Sequence, residues 1–177
     1  MVATAGTALE LDFSGLVSAH QPGLISLARR LVWDSEEARD IVQGALAEAW
    51  AQRAHLKSPD AAGAWLRRIL VNRAISVLRR RRLWRVMGAL LFVEPELAAA
   101  PDEAVERSQH LRALSRALET LSARQAAAFT LRYLEGLPLD EVAAALGCGR
   151  GTARVHLQRA VAALRAKNVL AETTHET

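Results

Sequence analysis

Apolar positions recur along the chain at helical spacing, and nowhere do they alternate for the length of a strand. A first helix is predicted over residues 9–19. Pro22 then suits a new helix start, followed by a stripe of Leu24, Leu27, Ala28 and Leu31. A third stripe, Ala38, Ile41, Val42, Ala45, Ala49 and Trp50, opens at Asp34 with Glu37 three residues on, the pattern of a capping box. Residues 55–63, which contain Ser58, Pro59 and Asp60, read as a loop. Trp65, Leu66, Ile69, Leu70, Val77 and Leu78 then mark a long helix over 61–82, where Trp65 reads as core. The chain to this point forms a unit of about four helices. Periodicity degrades over 83–101, where an apolar patch from Val86 to Val93 precedes Glu94-Pro95-Glu96, and this stretch reads as a linker. A second unit follows. Its first stripe is Leu111, Leu114, Leu118 and Leu121, and Ser122 with Gln125 forms another capping box for a helix ending at Gly136. Helices over 139–146 and 150–167 complete it. The expected fold class is all-α, with two small helical domains over 9–82 and 105–168 joined by a linker over 83–104.

Composition agrees with this picture and adds a partner class. Hydrophobic residues make up 51% and charged residues 24% of the 177, so the chain can fill a core. The formal net charge is only +4, but its distribution is uneven. Arg79, Arg80, Arg81, Arg82 and Arg85 cluster, and from Arg150 to Lys167 every charged residue is basic. Two basic runs, each at the end of a predicted helical unit, point to a polyanion. The single cysteine, Cys148, has no internal disulfide partner, and no Cys/His cluster has zinc-ligand spacing, so neither a metal nor a cofactor is expected. No signal peptide is evident and the longest apolar run is too short to span a bilayer, so the expectation is a cytoplasmic protein without membrane insertion.

Residues 140–157 carry the functional signal. Ala143 is small where two helices would cross, Gly147 can take the positive φ of a tight turn, and Val142, Leu146, Ala153 and Leu157 supply inner packing. The helix after the turn presents Arg150, Thr152, Arg154, His156 and Arg159. This is the constitution of a helix-turn-helix, whose second helix reads bases near its N-terminus and holds phosphates with basic flanks.

At these residues the chain resembles the extracytoplasmic-function (ECF) sigma factors of the sigma-70 family. Members of that family read E-I-A-x-x-x-G-x-S-x-G-T-V-K-S-R-L-x-R-A here, and this chain has Glu141-Val142-Ala143, Gly147, Gly151-Thr152, Arg154, Leu157 and Arg159-Ala160. Residues 121–137 resemble the family segment that precedes it. The N-terminal half matches separately. Residues 34–50 keep Ala38, Asp40, Val42, Gln43 and Trp50 of one family motif, and Trp65-Leu66, Ile69, Asn72-Arg73-Ala74 and Leu78-Arg79-Arg80 resemble a second. The likeness runs in order from about residue 13 to 167.

The resemblance implies a non-enzymatic initiation subunit that binds core RNA polymerase and directs it to promoters. It implies a region 2-like domain that melts and reads the −10 element and a region 4-like domain that reads the −35 element. Asp40 and Gln43 would meet the clamp coiled coil of the β′ subunit, and the second domain would meet the β flap. Leu56, Lys57 and Asn72 would face the displaced −10 strand, with Arg79 and Arg80 on nearby phosphates. Arg132 would join Arg150, Thr152, Arg154, His156 and Arg159 at the −35 duplex. An anti-sigma factor is a further expected partner. The chain departs from the family pattern at Arg39 and Gly44 (usually Glu), Ser76 (Asp), Gly149 (Ser), Ala153 (Val) and Val155-His156 (Ser-Arg). A competing reading, a helix-turn-helix regulator with a helical sensing domain, explains residues 150–167 but not 34–50. A recombinase or nuclease would need a nucleophile or carboxylate cluster, and none is arranged in the sequence.

Overall fold

The structure, a computed structural model, describes residues 4–56, 58–90 and 105–167. All its regular elements are helical: α1 (Thr4–Val32), α2 (Ser35–Ala51), α3 (Ala62–Leu90), α4 (Val105–Glu119), α5 (Ala123–Phe129), α6 (Leu139–Leu146) and α7 (Arg150–Arg165). Short 3₁₀ turns at Arg53–His55 and Pro59–Ala61 lead from α2 to α3, and a π-helical turn at Thr130–Leu134 follows α5. Contacts divide the chain into two compact units, Met1–Ala74 and Ile75–Thr177, with the division falling inside α3.

In the first unit α1 packs along α2. Leu24, Leu27, Ala28 and Leu31 are buried on α1, and Ala38, Ile41, Val42, Ala45 and Ala49 on α2. Leu66, Leu70, Val71 and Ala74 complete this core from α3. Each large aliphatic side chain removed from water here stabilises the fold by about 1.5–3 kcal/mol. The alanines between them let the helix backbones approach.

Pro22 lies inside α1 and does not start a second helix. The apolar face explains why. Buried Phe13, Leu24, Leu27, Ala28 and Leu31 occupy one continuous face that crosses the proline without changing phase. Pro22 lacks the N–H that would bond the Ser18 carbonyl, but Ser18 and Pro22 are both exposed, so water serves that group. The first unit therefore holds two long helices and the first part of α3, joined by short turns.

The junction between α1 and α2 is tight. Trp33 takes the left-handed region at φ 56°, and its N–H bonds the Arg29 carbonyl at 2.8 Å. For an aromatic residue this backbone is strained. Its indole Nε1 is also buried without a hydrogen-bond partner. Asp34 then caps α2, its Oδ1 accepting the Glu37 N–H at 2.8 Å, as the sequence spacing predicts. Gly44 has a local purpose: a Cβ there would run into the guanidinium of Arg73, which crosses α2 and pairs with Glu48 at 3.8 Å. Trp50 is 44% exposed although it continues the apolar pattern of α2. Its ring takes the Phe13 edge at 5.3 Å and the Arg53 guanidinium at 4.2 Å.

α3 begins one residue later than predicted and runs eight residues past Arg82, so residues 83–90, expected as the start of the linker, are helical. Nothing in 83–90 breaks a helix except Gly88, whose cost of about 1 kcal/mol a long helix absorbs. Leu83, Trp84, Val86 and Met87 are exposed on it, which is why a burial-based periodicity fades. The rest of the expected linker, 91–104, lies outside the described residues.

The second unit is centred on α5. Ala123, Ala126, Ala127, Ala128 and Phe129 are all buried, and α5 packs on both α6 and α7. Ser122 and Gln125 form the reciprocal capping box, with Oγ accepting the Gln125 N–H at 3.3 Å and Oε1 accepting the Ser122 N–H at 3.0 Å. The helical run ends at Gly136, whose φ is 70°. Its last turn widens to π geometry, where the Glu135 N–H bonds the Thr130 carbonyl at 3.0 Å.

Candidate nucleic-acid interface

α6, the turn and α7 form the helix-turn-helix. Val142, Leu146, Ala153 and Leu157, the residues predicted to pack inside, are all buried. Gly147 has φ 62°; its N–H bonds the Ala144 carbonyl at 3.1 Å, and the Cys148 N–H bonds the Ala143 carbonyl at 3.0 Å. This is a Schellman stop, and glycine is the residue that adopts it without strain. The Leu146 carbonyl, in the same last turn, accepts a hydrogen bond from Arg124 Nη1 at 3.1 Å. Arg124 thus braces the turn from the first turn of α5. Sequence reading missed it because its partner lies 22 residues away and is a backbone atom.

Gly149 is the N-cap of α7 in extended backbone and offers no side-chain cap. Beyond it Ala153, Leu157, Ala160 and Leu164 are buried at a four-three-four spacing, which fixes the opposite face outward. Arg150, Thr152, Arg154 and Arg159 are exposed, as expected. Arg150 Nη1 sits 3.2 Å from Asp140 Oδ2 on α6. Arg132, also exposed, donates from Nη1 to the Leu137 carbonyl at 2.9 Å. With Arg154, Arg165 and Tyr133 it lines a cleft of about 410 Å³ beside α7. Three guanidiniums around one cleft are suited to phosphate oxygens.

His156 differs from its neighbours. It is only half-buried, and its pKa is lowered from the ordinary 6.5 by burial first and then by Arg124 and Arg159. The shift favours the neutral imidazole over the cation.

In the first unit, Asp40 and Gln43 are exposed on the outer face of α2, in line with Ala47 and Trp50. Leu56 is half-buried after the first 3₁₀ turn, and Lys57 lies outside the described residues. Trp65 is half-buried, so it is not a fully enclosed core residue. Asn72 is exposed on α3; Ser76, Arg79 and Arg80 follow at helical spacing and continue one exposed stripe. No group of three or more His, Cys, Asp or Glu arranged for a metal occurs among the described residues. Among the same residues no helix is long and apolar enough to cross a membrane.

An all-α chain with a braced helix-turn-helix and an arginine-rich outer face defines a class, the DNA-binding transcription proteins. Comparison with known proteins narrows it. Residues 16–83 match the family described as Sigma-70 region 2, and residues 111–164 match Sigma-70, region 4. RNA polymerase sigma-E factor of Streptomyces coelicolor is 34% identical over 155 residues, covering 88% of this chain and 85% of that protein. ECF RNA polymerase sigma factor SigL of Mycobacterium tuberculosis is 32% identical over 152 residues, covering 85% of each. The sigma factor RpoE of Bartonella quintana, solved in complex with the anti-sigma factor NepR, superposes with TM-score 0.67 at 30% identity, covering 93% of this chain and 99% of that one. The chain belongs to the ECF sigma factors of the sigma-70 family. It is a promoter-directing subunit of RNA polymerase, and the match over 16–83 leaves no room for a sensing domain in that half.

Proposed function

We propose that the two halves divide promoter recognition between duplex and melted DNA. The helix-turn-helix reads the −35 duplex with the N-terminal turns of α7, through Arg150, Thr152 and Arg154. Arg132 and Arg159 hold flanking phosphates. The turn at 55–63, with Leu56 and Lys57, and the exposed stripe of Asn72, Arg79 and Arg80 on α3 receive the displaced −10 strand. Asp40 and Gln43 dock on the clamp coiled coil of β′, and the second unit meets the β flap. The domains are taken as 9–82 and 105–168. The observation that carries this reading is the outward face of α7, held by a buried face of regular spacing and by the Arg124 brace on the preceding turn.

The chain acts in the cytoplasm, needs no cofactor and performs no chemistry itself, since bond formation belongs to the polymerase. An anti-sigma factor is its expected regulator, the class of partner that NepR represents for the Bartonella protein.

Footprinting of the reconstituted holoenzyme on a promoter fragment tests the division. Arg154→Ala is expected to lose protection of the upstream duplex, at about tenfold in affinity for one base contact. Asn72→Ala is expected to keep that protection and lose the permanganate-reactive thymines of the melted segment. Loss of melting in Arg154→Ala with the upstream footprint intact would refute the assignment.

A further inference from the structure

Asp140 stands in the first turn of α6, on the surface assigned above to DNA, where a carboxylate repels phosphate. It is 68% exposed, so burial does not require it, and an exposed ion pair contributes little stability. Its geometry is specific, however. Asp140 Oδ2 accepts a hydrogen bond from Nη1 of Arg150 at 3.2 Å, across ten residues and from a different helix. Arg150 is the first residue of α7, the position from which a groove-docked helix addresses base edges. Gly149 and Gly151 flank it, and a Cβ at either would meet nothing within 4 Å. Neither flanking glycine has a side chain to hold Arg150, and Asp140 does hold it.

An unrestrained arginine at a helix N-terminus serves phosphates as readily as bases, because the guanidinium swings on a long stem. Tying one terminal nitrogen to a carboxylate removes that freedom. It leaves Nη2 and Nε, which are two parallel donors, for the O6 and N7 acceptors of guanine. The same carboxylate repels a phosphate approaching Arg150. Both effects favour base reading over backbone binding.

We propose that Asp140 is a positioning residue of the −35 interface, which commits Arg150 to a guanine and so sets the base preference at one promoter position. This rests on the reading of α7 as the −35 helix. The test is selection of promoter DNA, randomised across the upstream element, by holoenzyme carrying the wild-type chain, Asp140→Asn, Arg150→Ala or both substitutions.

The wild type is expected to prefer guanine at one position by roughly tenfold. Arg150→Ala abolishes that preference. Asp140→Asn, which keeps shape and removes charge, lowers it severalfold, raises binding to sequences lacking the guanine, and leaves the other positions unchanged. In the Arg150→Ala background Asp140→Asn changes nothing further at that position. A purely structural role would weaken binding at all positions together and leave the base profile intact, which would overturn the proposal. An unchanged guanine preference in Asp140→Asn, with Arg150→Ala still abolishing it, overturns the role of Asp140 alone. If Arg150→Ala alters no base preference, Arg150 is not a base reader, and the proposal and that part of the −35 reading fall together.

Discussion

Arg124 and His156 show how single side chains tune the recognition helix. Arg124 donates to the Leu146 carbonyl and also stands among the charges that lower the His156 pKa. Arg124→Ala is expected to cost about 1–2 kcal/mol in urea denaturation, the worth of a half-buried hydrogen bond from a charged donor. It also moves the His156 pKa back toward 6.5, which an NMR titration of the imidazole reads directly. The sign of the associated pH dependence follows from linkage. The folded-state pKa lies below the unfolded value of 6.5, so on acidification the unfolded chain takes up the proton first. This contribution to stability is complete above pH 6.5 and is lost as pH falls through the folded-state pKa. Denaturation at pH 7.5 and pH 5 is expected to show a smaller acid loss for His156→Gln than for the wild type. Of these features the sequence discloses only a part. Gly147 is legible because a glycine closing an apolar helix has few other uses. The depressed His156 is not, because its causes, burial first and then the approach of Arg124 from α5, arise from tertiary packing.

Element boundaries follow local chemistry where that chemistry acts within a turn. The caps at Asp34 and Ser122, the stop at Gly147 and the limits of α6 are readable for that reason, since each partner lies within about one helical turn. Pro22 misleads because local preference for a helix start is overridden by the apolar face running through it. Pro22→Ala is expected to restore a backbone hydrogen bond to Ser18 and to stabilise the first unit. The gain is about 1–3 kcal/mol, somewhat offset by the freer unfolded chain. A thermal melt that does not rise would mean that α1 is already relaxed around the proline. The π turn at Thr130–Leu134 has no signature in the sequence, because widening one turn by a residue changes no side-chain pattern over so short a span. Trp50 is apolar by type and exposed by position, held by Phe13 and Arg53. Periodicity alone placed it on the buried stripe.

The proposed division of labour belongs to the whole molecule. An exposed α2 face, the exposed Asn72-to-Arg80 stripe of α3 and a braced helix-turn-helix give one chain three surfaces. The two motif sets and the family were legible because each half carries its own pattern at its own spacing. Electrostatics sets an expectation at this scale too. Arg132, Arg154 and Arg165 line one cleft, so Arg165→Ala is expected to weaken promoter binding evenly across sequences and to lower the salt slope by about 0.9 per phosphate released. The central claim, that this chain gives core polymerase its promoter choice, is tested most directly by run-off transcription. Purified bacterial core polymerase is supplied with and without the protein on a promoter library. The account predicts transcripts from a defined subset of promoters that require the protein and weaken at least severalfold with Arg154→Ala or Asn72→Ala. Binding to duplex DNA without any protein-dependent initiation would contradict it.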